Sequence, residues 1–262
     1  MCASQFLVAT RPPSHTLRHT TRGRHGQGAS LEQLRRLVHR YGECRQGPVR
    51  FRPRTWRSWL EPHGTGHVLN VGTECANGPS GDRLISRDDL AVLREHADDD
   101  SDGLRDLFVA VMVWGSGTTN GRGPRYTNAA LSDARMLAVL QTTRALVRAG
   151  DLSGAYNQFV LDGVRRSFFT KWFAAVDDRD SECDRALILD GRVFRSLNAL
   201  GWSSWEAAGT RHWPTRYATY VSAMHGWAKS IGVAADWLEW LLFYLNGRID
   251  EPELGNHGVI DR

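Results

Sequence analysis

The chain has 262 residues, 33 basic and 29 acidic side chains, and a formal charge of +4. Hydrophobic residues make up 41% and charged residues 24%, the composition of an ordinary globular protein and not of a disordered, collagen-like or membrane chain. The length accommodates one large domain or two small ones, and no apolar run approaches the roughly 18 residues of a membrane span. Cys2, Cys44, Cys75 and Cys183 form no C-x-x-C pair, which argues against a zinc knuckle or a disulfide framework and makes a reducing cytosol the default compartment. Charge is unevenly placed: residues 1–60 carry +10, and the remainder carries −6. A basic front on a mildly acidic body suits a polyanionic partner, although a solvated arginine-rich tail has the same composition.

Residues 1–28 contain no acid, two adjacent prolines and no apolar periodicity, so they are expected to be disordered. Such a start also imitates an organellar transit peptide, but it lacks the apolar core of a signal peptide. Ser30 and Gln33 form a capping box ahead of Leu31, Leu34, Val38 and Tyr41, predicting a short amphipathic helix stopped by Gly42. Residues 43–85 are rich in Gly and Pro, with Trp56, Trp59 and Leu60 on one helical turn and a short strand expected over His67–Val71. Ser86 caps a helix reaching about His96. The acidic turn Asp98–Asp102 then suits the positive end of the next helix, where Leu104, Leu107, Phe108, Val111 and Met112 recur at helical spacing.

Gly115–Asn128 reads as a glycine-rich loop, followed by a helix over Ala129–Arg148 closed by Gly150. Asp151 caps a short helix reaching Leu161, and another helix spans Arg166–Val176. Ala186–Leu189 is a buried extended run ending in Asp190, where a helix bearing Val193, Phe194 and Leu197 begins and continues to Gly201. Pro214 starts a helix whose Tyr217, Tyr220, Val221, Met224 and Ala228 share a face, and the last helix covers Ala234–Asn246. About nine helices and no convincing sheet define a mainly α protein. There is no internal repeat, phosphate-loop glycine signature or H-E-x-x-H motif.

Of the 33 basic residues only Lys171 and Lys229 are lysines. A lysine can act as a nucleophile once burial or a nearby cation depresses its pKa, whereas arginine keeps its proton. Lys171 lies in the apolar stretch Phe168–Phe173, and Lys229 lies near a helix end where solvent is accessible. The competing reading of Lys171 is a lysine that snorkels to solvent from a core helix. Asp190 follows nineteen residues later. It serves equally as a plain N-cap or as an oriented, ionised carboxylate able to stabilise a cationic sugar or take a proton from an amine.

Thr170-Lys171 on one helix, with an apolar run into Asp190 at the start of the next, resembles the catalytic segment of helix–hairpin–helix DNA glycosylases, closest to their 8-oxoguanine glycosylase-like branch. The likeness extends over about residues 100–246 and implies a helical bundle over 29–262 behind a tail at 1–28. It implies a monomer in a bacterial cytoplasm, without cofactor or metal, that takes double-stranded DNA containing a modified base. No cysteine follows Cys183, which excludes the iron–sulfur branch. By the same resemblance Lys171 attacks the anomeric carbon of a flipped nucleotide and Asp190 balances the developing charge, giving a glycosylase with possible abasic-site lyase chemistry. Asn120 is the expected wedge; Arg122, Arg125, Arg165, Arg166 and Arg192 are expected DNA contacts; Trp114 and Trp172 are expected to line the base pocket. The family hairpin usually reads Leu-Pro-Gly-Val-Gly-x-Lys, whereas here Leu161-Asp162-Gly163-Val164 leads into Arg165-Arg166 without the second glycine.

Two substrates fit the resemblance: oxidised guanine in repair, and glucosylated hydroxymethylcytosine of phage DNA in anti-phage defence. Segment 43–85 and the basic front read as additions that a compact repair enzyme does not require, and a sugar-bearing base needs a roomier, polar pocket. On that ground the defence reading leads. The rival from another class is a non-catalytic DNA-binding relative in which Lys171 only packs.

Overall fold

Helix α1 (Arg22–Tyr41) buries Leu34 and Leu37 and leads into a small antiparallel sheet, in a computed structural model that describes residues 22–76, 78–97, 101–117, 121–180 and 183–250, with side chains from residue 31. The helix opens ahead of the expected Ser30 cap, so residues 22–28 have helical backbone where irregular chain was predicted. Extending a helix already nucleated by the amphipathic stretch costs far less than starting one. The remainder of the predicted tail, and Asn120, lie outside the described residues.

The sheet has strand order β1-β3-β2, with β1 at Val49–Phe51, β2 at Thr73–Glu74 and β3 at Arg83–Ile85. Val49 pairs with Ile85 and Thr73 with Leu84. It corrects the expectation of no sheet, because strands of two or three residues are too short to show an alternating pattern. Helix α2 (Pro53–Leu60) buries Trp56 and Leu60 and leaves Trp59 exposed. The strand expected at His67–Val71 is instead a 3-10 turn over Gly66–Asn70 that buries Val68 and Leu69. Helix α3 (Arg87–His96) starts with the predicted Ser86 cap, completed by Asp89.

Helix α4 (Ser101–Ser116) is the centre of the domain: every residue from Leu107 to Trp114 is buried, as in a helix surrounded by others. It packs on α3, α5 (Gly123–Leu131), α6 (Met136–Arg148) and α8 (Arg166–Val176). The glycine-rich loop is therefore shorter than predicted. Gly115 and Ser116 still belong to α4, and Pro124 stands in the first turn of α5, where its fixed φ and missing N–H favour a helix start. The single predicted helix over 129–148 is split at Ser132–Arg135 into α5 and α6.

Asp151 caps α7 (Leu152–Gln158), which ends short of Leu161. After α8 an irregular buried run leads into α9 (Gly191–Ala199), followed by α10 (Ser204–Ala208), α11 (Trp213–Ile231) and α12 (Ala235–Leu245). Asn246, with φ of 52°, and Gly247, with φ of 90°, turn the chain out of α12. Helices α11 and α12 pack on each other, α11 also against α7 and α12 against α9, so the C-terminal pair backs the segment that carries Asp190.

Candidate active site

Lys171 projects from α8 with 8% of its surface exposed, so it does not snorkel to solvent. Its Nζ donates to the Ser167 carbonyl at 2.9 Å and stands 3.8 Å from Asp190 Oδ2, an ion-pair contact too long for a hydrogen bond. Gly115 of α4 makes room for the stem: a Cβ there would sit 2.8 Å from Lys171 Cδ and 3.0 Å from Phe168 Cε1. The Phe168 ring centroid is 5.4 Å from Nζ. Burial pushes the amine below the ordinary lysine pKa of 10.5. Asp190 and Glu239 oppose that shift, and Arg87 adds to it.

Asp190 is the N-cap of α9 and accepts the Arg192 N–H through Oδ1 at 2.9 Å. Its second oxygen is thereby turned towards Lys171. One carboxylate thus closes the helix end with one oxygen and faces the amine with the other, so the two readings of Asp190 are compatible.

The run Ala186–Leu189 is buried as predicted, but it is irregular and joins no sheet. Side chains take up its backbone groups instead. Ala186 N–H donates to Asp177 Oδ2 at 2.6 Å, Ile188 N–H to Glu239 Oε2 at 2.8 Å, and Leu189 N–H to Thr170 Oγ1 at 2.9 Å. The Tyr217 and Tyr220 hydroxyls donate to the carbonyls of Leu187 and Ile188, each at 2.9 Å. Buried backbone groups require such partners, and these fix the path into Asp190.

Glu239, only 2% exposed, also accepts from Arg87 Nη2 at 3.2 Å. Burial raises its pKa, while Arg87, the Ile188 amide and Lys171 hold it down. Arg87, Glu239, Tyr217 and Tyr220 were not foreseen as site residues. Only Glu239 left a signal, as an acid inside the apolar stretch Leu238-Glu239-Trp240-Leu241-Leu242.

The two candidate pocket tryptophans part company. Trp114 is beside the site, carrying the Arg87 guanidinium 5.3 Å from its ring centroid. Trp172 is a core residue: fully buried, it donates to Thr143 Oγ1 at 3.0 Å and meets Phe108 edge-on. One residue along a helix is a rotation of about 100°, so Lys171 and Trp172 cannot share a face.

The arginines also divide. Arg122 and Arg125, exposed at the start of α5, and Arg165, exposed at the start of α8, all bear electrostatically on Tyr126, whose hydroxyl accepts from Arg122 at 3.4 Å. Gly163 of the hairpin turn, with φ of 80°, packs on that tyrosine, and a Cβ there would come within 2.8 Å of Tyr126 Cδ1. The degenerate hairpin therefore keeps a tight turn framed by arginines. Arg166 is committed elsewhere: its guanidinium lies 3.7 Å from the Trp213 centroid, with Arg216 at 3.5 Å from the same ring. Arg192 is exposed, 4.9 Å from the Phe243 centroid.

Among the described residues no group of three or more His, Cys, Asp or Glu side chains forms a metal site, and no helix is long and apolar enough to cross a membrane.

With this geometry agrees a family model, described as "OGG: Putative 8-oxoguanine DNA glycosylase OGG-like protein", which matches residues 42–243. The chain belongs to this family of 8-oxoguanine DNA glycosylase-like proteins. The match begins at residue 42, so segment 43–85, expected to be an addition, is part of the body common to the family. No curated protein and no solved structure gives a significant match.

Proposed function

We propose that this protein is a DNA glycosylase that extrudes a modified base from duplex DNA and excises it with Lys171 as nucleophile. The observation that carries the reading is the buried Lys171 amine 3.8 Å from the carboxylate of Asp190, in a chain of the glycosylase-like family. The Lys171 amine bonds to the anomeric carbon as the glycosyl bond breaks, and the bonding pair leaves with the base, which gains a proton. Asp190 stabilises the sugar cation and takes a proton from the attached amine. Opening of the sugar ring leaves a Schiff base, from which the 3′ phosphate can be eliminated.

For the base, glucosylated hydroxymethylcytosine of phage DNA is the leading substrate. Its support is the polar groups that join segment 43–85 to the site: Gln46 accepts from Arg87 at 2.7 Å, and Arg87 donates to Glu239, whose charge acts on the Lys171 amine. Because that segment lies within the family match, its presence alone does not separate the two substrates. Oxidised guanine is the second reading, favoured by the family's description. Borohydride trapping over duplexes carrying glucosylated hydroxymethylcytosine, hydroxymethylcytosine, 8-oxoguanine or no modification tests both. An adduct lost in Lys171→Gln supports the nucleophile, and reaction at oxidised guanine alone removes the cytosine reading. Released base without an adduct points to activated water, and the absence of both to a non-catalytic DNA-binding protein.

A further inference from the structure

Arg87 belongs to neither segment of the lysine–aspartate pair, yet the fold ties its guanidinium to them through Glu239. Three neighbours fix it. Nε donates to Gln46 Oε1 at 2.7 Å, Nη2 donates to Glu239 Oε1 at 3.2 Å, and the group stands 5.3 Å from the Trp114 ring centroid. Nη1 has no hydrogen-bond partner among the described residues, and 30% of the side chain remains exposed. One anchor ties Arg87 to the site: Glu239, which accepts from Arg87, also binds the run leading into Asp190. The charges of Arg87 and Glu239 both act on the Lys171 amine.

Neutralising Glu239 would require one cation and no particular orientation. Here the guanidinium is held at two edges above an indole, and its remaining edge is open. Such a group loses little freedom when it binds one more acceptor.

We propose that Arg87 is a specificity-determining residue, whose Nη1 edge donates a hydrogen bond to an oxygen of the extruded base or of a substituent on that base. This rests on the glycosylase reading. It assigns Arg87 to the leaving group, in contrast to Lys171 and Asp190, which act on the sugar.

The test uses two readouts on the full chain. Borohydride trapping on a duplex with a preformed abasic site requires Lys171 but no base. Base release is measured on duplexes carrying glucosylated hydroxymethylcytosine, hydroxymethylcytosine or 8-oxoguanine. Arg87→Gln leaves Glu239 buried without its cation, so Arg87→Gln/Glu239→Gln is measured beside it, together with Arg87→Lys. Expected in the Arg87 variants is base release lowered about 10- to 100-fold beyond any change in abasic-site trapping, the loss of one charge-assisted hydrogen bond. A deficit confined to the glucosylated duplex identifies a sugar hydroxyl as acceptor; a deficit on every processed base identifies an oxygen of the ring system. Equal losses on abasic and base-containing duplexes overturn the proposal in favour of a structural or phosphate-contacting arginine, as does unchanged base release in the double variant. Failure of the glycosylase reading looks different, with no adduct or base release by the wild type on any duplex, and this proposal falls with it.

Discussion

The hydroxyl of Thr170 accepts the backbone N–H of Leu189 at 2.9 Å, so the residue before Lys171 holds the residue before Asp190. The same hydroxyl donates to the Arg166 carbonyl at 2.7 Å and therefore has a fixed direction. Replacing Thr170 by Val keeps the shape but leaves the buried Leu189 amide without an acceptor, at a cost of about 1–3 kcal/mol. Urea unfolding should record that loss, with slower adduct formation as Asp190 loosens. Thr170→Ser should restore most of both. Wild-type stability in the valine variant would show that the bond does not hold the run.

Burial depresses the Lys171 pKa, and attack needs the neutral amine. The single-turnover rate should fall as pH drops through an inflection below the ordinary lysine value of 10.5. The sign for stability follows from proton counting. The folded state binds fewer protons than the unfolded one between the lowered pKa and 10.5, so stability rises with pH in that window. Below the lowered pKa the charged amine opposes folding most fully. Lys171→Met should therefore abolish the adduct and raise the melting temperature at neutral pH. A lower melting temperature would mean that the pair with Asp190 outweighs desolvation.

Gly115→Ala separates chemistry from stability. The new methyl meets the flexible Lys171 stem at 2.8 Å and the Phe168 ring at 3.0 Å, crowding that offsets the roughly 1 kcal/mol by which a helix favours Ala over Gly. Thermal unfolding should change little, but displacement of the amine from Asp190 should slow adduct formation at least about tenfold, as small misplacements of reacting groups do. A wild-type rate would show that the stem need not lie against α4.

Salt dependence of DNA binding distinguishes the arginines. Removal of Arg125 or Arg165, exposed around Tyr126, should each lower the slope of log K against log salt by about 1, uniformly across sequences. Arg166→Ala should leave the slope unchanged and reduce stability instead, by about 0.5–2 kcal/mol through loss of the Trp213 stack. The reverse pattern would assign the phosphate contact to Arg166.

Much of the helical framework is legible in the sequence where periodicity and caps coincide. Arg166–Val176 has the predicted ends, Ser86 caps α3, and Asp190 opens α9. The basis of the errors is equally specific. Pro124 reads locally as a loop residue, but in the first turn of a helix its constraint is favourable. The strands around Phe51 and Ile85 are too short to display a period. Lys171 and Asp190 stood out by residue type and spacing. Arg87, Tyr217 and Tyr220 did not, and Glu239 showed only as an acid in an apolar stretch, because their partners are 30 or more residues away and only tertiary packing joins them.

The run into Asp190 reverses the usual relation between burial and tolerance to change. Its five side-chain anchors grip backbone atoms, so exchange of Leu187 or Ile188 for another apolar residue of similar size leaves every anchor in place. The identity constraint is exported to Asp177, Thr170, Glu239 and two tyrosine hydroxyls. Loss of a single oxygen atom at Tyr220, a fully buried residue on α11, would thus register as a fault in the carboxylate of Asp190.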